Sequence, residues 1–138
     1  MIKLSKMSDH ALNLCAQLAI FQSEWKNAGE WAKLAGLRES TASKLFKLLC
    51  KSDICESERG KAGGYRMAAD PGSFTILNVV EAVDGPLSFS DCGLRGKGCS
   101  KSGHCAVEPH AGKVAEAIRD GLRRVPLSDL AKGANHVQ

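Results

Sequence analysis

Three cysteines in a glycine-rich stretch are the residues of this chain whose types and spacing most directly suggest chemistry. The stretch runs from Cys92 to Cys105 and reads CGLRGKGCSKSGHC. Six residues separate Cys92 from Cys99, and five separate Cys99 from Cys105. The glycines allow the backbone to wrap tightly around a small object, because glycine tolerates positive φ angles. Three thiolates in such a loop predict a metal ion or an iron–sulfur cluster bound through sulfur.

The charges within this loop favour the same chemistry. Arg95, Lys97 and Lys101 lie inside it, and no acidic residue does. Their positive charges would offset part of the negative charge of the thiolates. Zinc is the main competitor, but structural zinc sites usually contain two close ligand pairs, with about two to four residues inside each pair. The gaps here are wider, so the spacing favours iron–sulfur and leaves a zinc-binding structural module as an alternative of another class.

A disulfide loop with one thiol left over is the remaining interpretation of these cysteines. It would suit a secreted protein, but the amino terminus lacks an apolar run followed by a small-residue cleavage site. No stretch approaches the length of a membrane span either. We therefore expect a cytoplasmic protein that does not engage a membrane. In that compartment thiols are kept reduced, and clustered cysteines more often bind metal or sense redox state.

Length and composition predict one folded core of ordinary size. The 138 residues are 43% hydrophobic and 25% charged, which argues against overall disorder. The net charge of +4 is modest. Residues 24–66, however, contain nine Lys or Arg and six Asp or Glu, so +3 of the excess lies in under a third of the chain. This distribution is compatible with a nucleic-acid-binding surface in that segment.

Amphipathic patterns predict three helices in the first part of the chain. The first spans residues 8–22, the second spans 28–34 and stops at Gly36, and the third begins at Glu39 or Ser40. Two short helices joined by a turn of about three or four residues form a helix-turn-helix. The alternative is an ordinary amphipathic helix with a solvated polar face. The outward side chains of the third helix are of types that reach phosphates and base edges, namely Thr41, Ser43, Lys44 and Lys47.

A predicted β-hairpin follows the third helix. Residues 54–57 resemble a short strand, RGKAGGY at 59–65 is a glycine-rich turn, and 65–68 can return as the paired strand. A basic hairpin directly after a recognition-type helix is the order of a winged helix-turn-helix. In that arrangement Arg59 and Lys61 would approach the DNA backbone or the minor groove.

Two further helices are predicted on either side of the cysteine loop. Residues 74–83 form one, which ends at Gly85 and Pro86. The other lies beyond Pro109 and ends at Pro126, and its apolar stripe consists of Val114, Ile118, Leu122 and Val125. Such a stripe needs a partner surface. In a chain this short a second copy of the same helix is an economical one, so we infer a twofold homodimer.

The predicted fold is therefore mainly α with a small β-hairpin wing, a winged helix-turn-helix followed by a long dimerisation helix. Residues 1–85 form the DNA-binding domain, 86–106 the cysteine-rich loop, 107–126 the dimerisation helix and 127–138 a tail. We expect no enzymatic activity, because the chain has no paired catalytic carboxylates, no GxSxG motif and no HExxH motif. The remaining cysteines are expected to be packed thiols, and these are Cys15, Cys50 and Cys55.

With these elements placed, the sequence resembles the winged-helix regulator family that includes the iron–sulfur regulator IscR and the nitric-oxide regulator NsrR. The likeness covers nearly the whole chain. It is carried by LSKMSDHAL at 4–12, the turn and helix AGLRESTASKLFKLL, the wing ESERGKAGGYRMA, the segment VVEAVDGPL and the three cysteines. The subgroup that regulates SUF cluster-assembly genes looks most similar, with the same first cysteine gap and an ending like PLSDLA at 126–131.

The resemblance implies a homodimeric transcription factor, a repressor of iron–sulfur cluster assembly genes, whose binding to double-stranded operator DNA depends on a cluster. Cys92, Cys99 and Cys105 match the cluster cysteines of the family. A 2Fe–2S cluster is favoured over a 4Fe–4S cluster. A nitric-oxide or redox-sensing repressor of the same family is the alternative. In the recognition helix, the positions that face DNA in the family are occupied by Ser40, Thr41, Ser43 and Lys44.

The fourth ligand is where the sequence departs from the IscR pattern. IscR-like members take it from a His three residues after the last cysteine, and that position is Glu108 here. His104 and His110 are nearby but out of register. NsrR-like members instead use an Asp near the start of the first helix, which Asp9 matches. The candidates for the fourth ligand are therefore Asp9, which would be contributed by the other subunit of the dimer, and Glu108 or His110 of the same chain.

Overall fold

Helices and one β-hairpin make up the computed structural model, which describes residues 2–89 and 104–134. Cys92 and Cys99 lie outside these ranges. The mainly α architecture with a two-stranded antiparallel sheet confirms the predicted fold class. In chain order the elements are α1 Lys6–Ile20, α2 Ala28–Ala35, α3 Glu39–Lys51, β1 Cys55–Glu58, β2 Gly64–Met67, a 3-10 turn Pro71–Ser73, α4 Ile76–Asp84, α5 Glu108–Arg123 and α6 Leu127–Ala134.

The core forms where α1, α2 and α3 meet, and β1 and α6 close it from the sides. Each helix turns an apolar stripe inward, as the helical spacing of the apolar residues predicts. Trp31 of α2 and Phe46 of α3 are the largest fully buried side chains. The aliphatic residues packed around them with no exposed surface are Leu14, Leu18, Leu45, Leu49, Val79 and Leu127.

The start of α1 differs from the predicted start at residue 8, because the helix begins at Lys6. Ser5 is the N-cap, and its Oγ accepts the Ser8 amide at 3.0 Å. Ser8 lies one turn inside the helix and is fully buried, with its hydroxyl donated to Asp84 at the end of α4. The sequence could not reveal this, because the partner of Ser8 is 76 residues away along the chain.

The turn between α2 and α3 has the predicted geometry. Gly36 ends α2 in the left-handed region at φ 67°, which glycine adopts without steric penalty. Only Leu37 and Arg38 separate Gly36 from Glu39, the first residue of α3, and Arg38 is the N-cap. α2, this short turn and α3 together form a helix-turn-helix.

The carboxy-terminal segment corrects the prediction of a tail over 127–138. Within it Leu127–Ala134 form α6, which packs on α1. α5 ends at Arg123, three residues before Pro126. The Leu127 amide then donates to the Phe74 carbonyl at 2.9 Å, and the Leu127 side chain is fully buried. The stripe formed by Leu127, Leu130 and Ala131 is only about one turn long, so its helical period was too short to recognise.

Candidate functional site

The outward face of α3 carries the polar residues that the sequence assigned to DNA. Ser40, Lys44 and Lys47 are exposed, and Thr41 and Ser43 are half-buried. Ala42, Leu45, Phe46 and Leu49 occupy the opposite face with no exposed surface, so the rotation of α3 about its axis is fixed by the core. The helix therefore presents a hydroxyl- and ammonium-rich face to a partner outside the domain.

The wing is the hairpin of β1 and β2, and it is docked firmly beside α3. Its register pairs Cys55 with Met67 and Glu58 with Gly64. The Tyr65 ring stacks on the Phe46 ring of α3, with centroids 4.1 Å apart and planes 7° from parallel. The indole Nε1 of Trp31 donates to the Tyr65 carbonyl at 2.9 Å. The wing and the recognition helix consequently have a fixed mutual orientation.

Two glycines at the end of the wing turn are required by close backbone approach. A Cβ on Gly64, which has φ +131°, would lie 2.2 Å from the carbonyl oxygen of Lys26. A Cβ on Gly63 would lie 2.2 Å from the carbonyl oxygen of Glu58. The approach of Gly64 lets Tyr65 form a bridge with Lys26, in which the Tyr65 amide donates to the Lys26 carbonyl at 2.8 Å. The strand returning from the wing is thereby held to the connection between α1 and α2.

Arg59 and Lys61 project from the exposed turn of the wing. Neither they nor Lys44 and Lys47 of α3 form an ion pair within the ranges that the structure describes. Cations that are not neutralised by neighbouring carboxylates keep their full charge for an anionic partner. The helix and the wing thus present four cations that have no ion-pair partner in the described part of the chain, and their role in DNA binding stays a prediction.

A cation–π contact supports the base of the wing, and sequence reasoning missed it. The guanidinium of Arg66 lies over the Trp25 ring at 4.4 Å, and its Nε is 2.5 Å from Oε1 of Glu56. Glu56 and Arg66 are direct cross-strand partners. The opposite charges of Glu56 and Arg66 could have been recognised in the sequence once the strand register was known. The role of Trp25 could not have been recognised in this way. Arg66 is therefore occupied within the wing, unlike Arg59 at its tip.

Three of the described cysteines lie in or beside the hydrophobic core. Cys15 and Cys55 are almost completely buried in the core, and Cys50 is half-buried beside them. Burial raises the pKa of Cys15 to about 12, and it raises the pKa of Cys55 well above its usual range. Desolvation also raises the pKa of Cys50. These three cysteines are thus packed in or against the core, as expected.

Cys105 differs from the core cysteines in place and surroundings. It is a free, half-buried thiol just before α5, where the amide of Glu108 donates to its carbonyl at 3.3 Å. The positive end of the helix dipole favours negative charge at such a position. Glu108 is half-buried and His110 is exposed within the first turn of α5. Of these side chains, the Cys105 thiol is the donor type that an iron–sulfur cluster uses.

The candidate ligands are only partly brought together in the described residues. Cys105, Glu108 and His110 lie within six consecutive positions, whereas Asp9 is exposed in the first turn of α1. In the ranges 2–89 and 104–134, no three His, Cys, Asp or Glu side chains are grouped so that they could hold a metal ion. The predicted site needs Cys92 and Cys99, which are outside these ranges.

The apolar stripe of α5 is left partly uncovered by its own chain. Ala111 and Ala115 are buried, but Val114, Ile118 and Leu122 are only half-buried. The groove beside the stripe is also lined by apolar residues from other segments, namely Ile2, Leu4, Val80, Leu87 and Phe89. Of these, Ile2 is 74% exposed and Phe89 is 42% exposed.

No helix among the described residues has the length and apolarity needed to cross a membrane.

Comparison with known proteins defines the class to which this fold and site belong. Residues 4–133 match the model of the Rrf2 family, described as an iron-dependent transcriptional regulator. The chain belongs to the Rrf2 family. This confirms the predicted family and the prediction of a regulator rather than an enzyme.

Individual relatives and solved structures agree with that assignment. The chain is 34% identical over 98 residues to the HTH-type transcriptional regulator IscR of Vibrio campbellii, covering 70% of this chain and 57% of that relative. It is 22% identical over 132 residues to protein aau3 of Rhizobium meliloti, covering 95% and 86%.

Among solved structures, T. potens IscR is similar with a TM-score of 0.75 and 22% identity, covering 99% of this chain and 91% of that one. CymR, the global cysteine regulator of B. subtilis, has a TM-score of 0.74 and 23% identity, covering 96% and 98%. These likenesses establish the winged-helix fold. The match spans less than two thirds of the length of the Vibrio relative.

Proposed function

We propose that this chain is a homodimeric, cytoplasmic transcriptional regulator that binds double-stranded DNA through α3 and the wing and senses an iron–sulfur cluster held by Cys92, Cys99 and Cys105. The observation that carries the proposal is the separation of the cysteines into two groups. Three lie in a glycine-rich segment with basic residues, and the other three are packed thiols in or beside the core. Such a division is expected if the three cysteines of the first group serve as ligands of the cluster.

The DNA-binding half of the proposal is supported by the docked wing. Because the Phe46–Tyr65 stack and the Trp31 hydrogen bond hold the wing beside α3, both can meet one duplex at the same time. Ser40, Thr41, Ser43, Lys44 and Lys47 would face the major groove, and Arg59 and Lys61 the backbone or minor groove. The Lys and Arg side chains among these residues would displace counterions from the DNA phosphates. This counterion release dominates protein–DNA affinity.

The cluster half of the proposal uses residues on both sides of the cysteine segment. A bound iron–sulfur cluster would supply a centre that loses or changes its ligands on oxidation. Cys105 stands at the start of α5, so a ligand position there is attached to the helix that carries the apolar stripe. The fourth ligand is Asp9, Glu108 or His110. Of the two cluster types, 2Fe–2S is preferred.

The dimer is supported by the uncovered apolar surface of α5. Val114, Ile118 and Leu122 remain half-buried in the single chain, and exposed apolar patches of this kind mark interaction sites. A second copy of α5 would cover them in an isologous contact. In such a dimer the DNA half-sites would be related by a twofold axis and lie about one helical turn apart.

Repression of iron–sulfur cluster assembly genes is the proposed regulatory role. It rests on the likeness of the first cysteine gap and of the PLSDLA ending to the SUF-system subgroup. A nitric-oxide sensor would use the same site and would be recognised by the small molecule that destroys the chromophore. CymR shares the fold to the same degree, so the cysteines rather than the fold favour cluster sensing.

The experiment that tests the proposal is an absorption spectrum of protein purified without oxygen, followed by DNA selection. An iron–sulfur protein absorbs in the visible range, whereas a colourless protein with one zinc per chain would support the zinc module instead. The selection uses random-sequence double-stranded DNA, with cluster-loaded and cluster-free protein in parallel. Equal affinity and equal preferred sequences in the two forms would refute cluster sensing while leaving DNA binding intact.

A further inference from the structure

A basic cleft lies between the start of α1 and the start of α3, beside the face of α3 that is expected to meet DNA. Lys6 and His10 line it from α1, Arg38 lines it from the turn that precedes α3, and Thr41 lines it from α3 itself. Lys6 and His10 are four residues apart, so they lie on the same face of α1. Two helices and a turn thus bring three nitrogen-bearing side chains to one opening.

The positive charge of the basic cleft is not offset by nearby acids. Lys6, His10 and Arg38 form no ion pair within residues 2–89 and 104–134. Glu39 follows Arg38 in the chain, but its carboxylate is directed towards α2, with Oε2 3.1 Å from the position that a Cβ on Gly29 would take. Asp9 does not line the cleft. The opening therefore attracts an anion.

The side chains of the basic cleft are of the types that bind phosphate oxygens. A guanidinium donates two parallel hydrogen bonds to such a group, and an ammonium adds a point charge. The imidazole of His10 can donate a further hydrogen bond. The cleft has a volume of about 510 Å³, whereas a water molecule takes ~30 Å³ of liquid volume, so a phosphodiester group fits without movement of the backbone.

The position of the cleft indicates that the phosphate belongs to DNA. Thr41 lines the cleft and is also one of the residues expected to face DNA. The major groove is about 12 Å wide and a helix with its side chains is about 10–12 Å across, so backbone phosphates adjoin an inserted helix. Phe46, which holds the wing, lies about two turns further along α3. The cleft would supply a backbone contact at the opposite end of the helix.

We propose that the basic cleft binds a backbone phosphate of the DNA that α3 reads, with Lys6 and Arg38 as its charged contacts and His10 as a further donor. The inference rests on the proposed function, because the phosphate belongs to the same duplex. It adds α1 to the DNA interface. A phosphate held at this place strengthens binding and fixes the orientation of α3 in the groove, but it carries no sequence information.

The first experiment measures the salt dependence of binding to the selected duplex. The double variant Lys6→Ala/Arg38→Ala should bind more weakly, and its slope of log affinity against log salt should be lower by about one unit for each subunit bound. One such contact corresponds to about a 3.5-fold difference in affinity between about 50 and 200 mM salt. The preferred sequence should stay the same, because no base contact is lost. Equal slopes in the variant and the unchanged protein would overturn the inference.

The matched control is Lys113→Ala/Lys132→Ala, which changes the net charge by the same amount. These two lysines are exposed on α5 and α6, and neither lines the cleft. The control should keep the slope of the unchanged protein. A slope that falls equally in both double variants would show a general effect of net charge and would contradict a phosphate site in the cleft.

Methylphosphonate linkages extend the test to a single phosphate, because each removes the charge of one DNA phosphate. The linkages of the two half-sites are replaced in symmetric pairs, one pair in each duplex. At one pair, the replacement should weaken binding by the unchanged protein but have no further effect on Lys6→Ala/Arg38→Ala. Additive effects at every pair would refute the contact. Each protein is compared with itself, so the result does not depend on equal stability of the variants.

A comparison with Lys44→Ala separates this inference from the proposed function. Failure of the unchanged protein to select or bind any duplex would defeat both. Weaker binding by Lys44→Ala, together with unchanged affinity and salt slope in Lys6→Ala/Arg38→Ala, would leave DNA binding by α3 intact and defeat this inference alone.

Discussion

Phe46 and Tyr65 stack face to face, and through this contact the recognition helix and the wing behave as one unit. The two residues come from α3 and β2, and their ring centroids are 4.1 Å apart. Phe46 is fully buried, whereas Tyr65 is half-buried and is also held by its backbone to Trp31 and Lys26. The orientation of Arg59 and Lys61 relative to α3 therefore depends on residues that do not need to touch DNA.

The stack should be measurable as a coupling energy. A double-mutant cycle with Phe46→Leu and Tyr65→Leu, followed by urea unfolding, should give an interaction of about 0.5–1.5 kcal/mol beyond the loss of buried area. Tyr65→Leu should also weaken DNA binding, because the wing loses its fixed orientation. Additive losses of stability in the double variant would show that the stack contributes no specific interaction.

Gly64 should be much less tolerant of a side chain than a glycine in α5. Gly64→Ala places a Cβ 2.2 Å from the Lys26 carbonyl at a φ of +131°, so we expect a loss of about 2–4 kcal/mol in the free energy of unfolding. Gly121→Ala is the matched control. Nothing lies within 4 Å of a Cβ there, and a helical alanine should be about 0.5–1 kcal/mol more stable than glycine. Equal unfolding midpoints for the two variants would contradict the close approach.

The positive charges of α3 and the wing should contribute separately to DNA affinity. Lys44→Ala or Arg59→Ala should weaken binding to the selected DNA, by about 1–3 kcal/mol and with altered sequence preference if a base contact is lost. Loss of a phosphate contact should instead reduce the salt slope by about one unit. Lys132→Ala on α6, where Lys132 is 3.8 Å from Asp129, serves as the control and should leave binding unchanged. Unaltered affinity and salt slope in both test variants would argue against a DNA surface at this place.

The two groups of cysteines should respond differently to substitution. Replacing Cys92, Cys99 and Cys105 by Ser should abolish the visible absorption and the bound iron while leaving a dimer, because the dimer is attributed to the α5 stripe. Cys50→Ser is the control within the second group and should retain full iron content. Iron bound at full occupancy by the triple variant would rule out the proposed ligands.

Stability should decline in alkaline solution because of the buried thiol of Cys15. Its folded pKa of about 12 lies above that of an unfolded thiol, so the folded chain keeps a proton that the unfolded chain has released. The stabilisation is complete below the unfolded pKa and is lost as the pH rises towards 12. Cys15→Ala should therefore show a shallower decline than the unchanged protein between about pH 9 and 12, by up to ~1.4 kcal/mol per pH unit. Identical slopes in urea titrations of the two proteins would exclude this contribution.

The sequence predicted most of the winged helix because its signals are local. The apolar stripe of α3, the left-handed turn at Gly36 and the glycines of the wing all act within a few residues of their own positions. The interactions that hold these elements together were not predictable in the same way. Ser8 meets Asp84 across 76 residues, and Trp31 meets the Tyr65 carbonyl across 34. Only packing in three dimensions decides which of many polar residues become such partners.

The helix α6 was missed for a related physical reason. Its stability depends on burial of Leu127 against α1 rather than on a long amphipathic repeat. A pattern of about one turn cannot be distinguished from a polar tail until the surface it covers is known. Local signals do not choose among the candidate fourth ligands either, because Asp9 lies in α1 whereas Glu108 and His110 begin α5.

The bridge between Thr75 and Pro126 joins the two ends of the stretch that contains α4 and α5. The Ile76 amide donates to the Val125 carbonyl at 3.0 Å, and the Leu127 amide to the Phe74 carbonyl at 2.9 Å, so the chain departs and returns at adjacent points. Lengthening a loop whose ends are already joined costs only about 0.6 kcal/mol for each doubling. Insertions or deletions in the stretch that connects α4 with α5 can accordingly accumulate without disturbing the winged helix. The length of the segment between α4 and α5 is therefore free to change while the winged helix is kept constant.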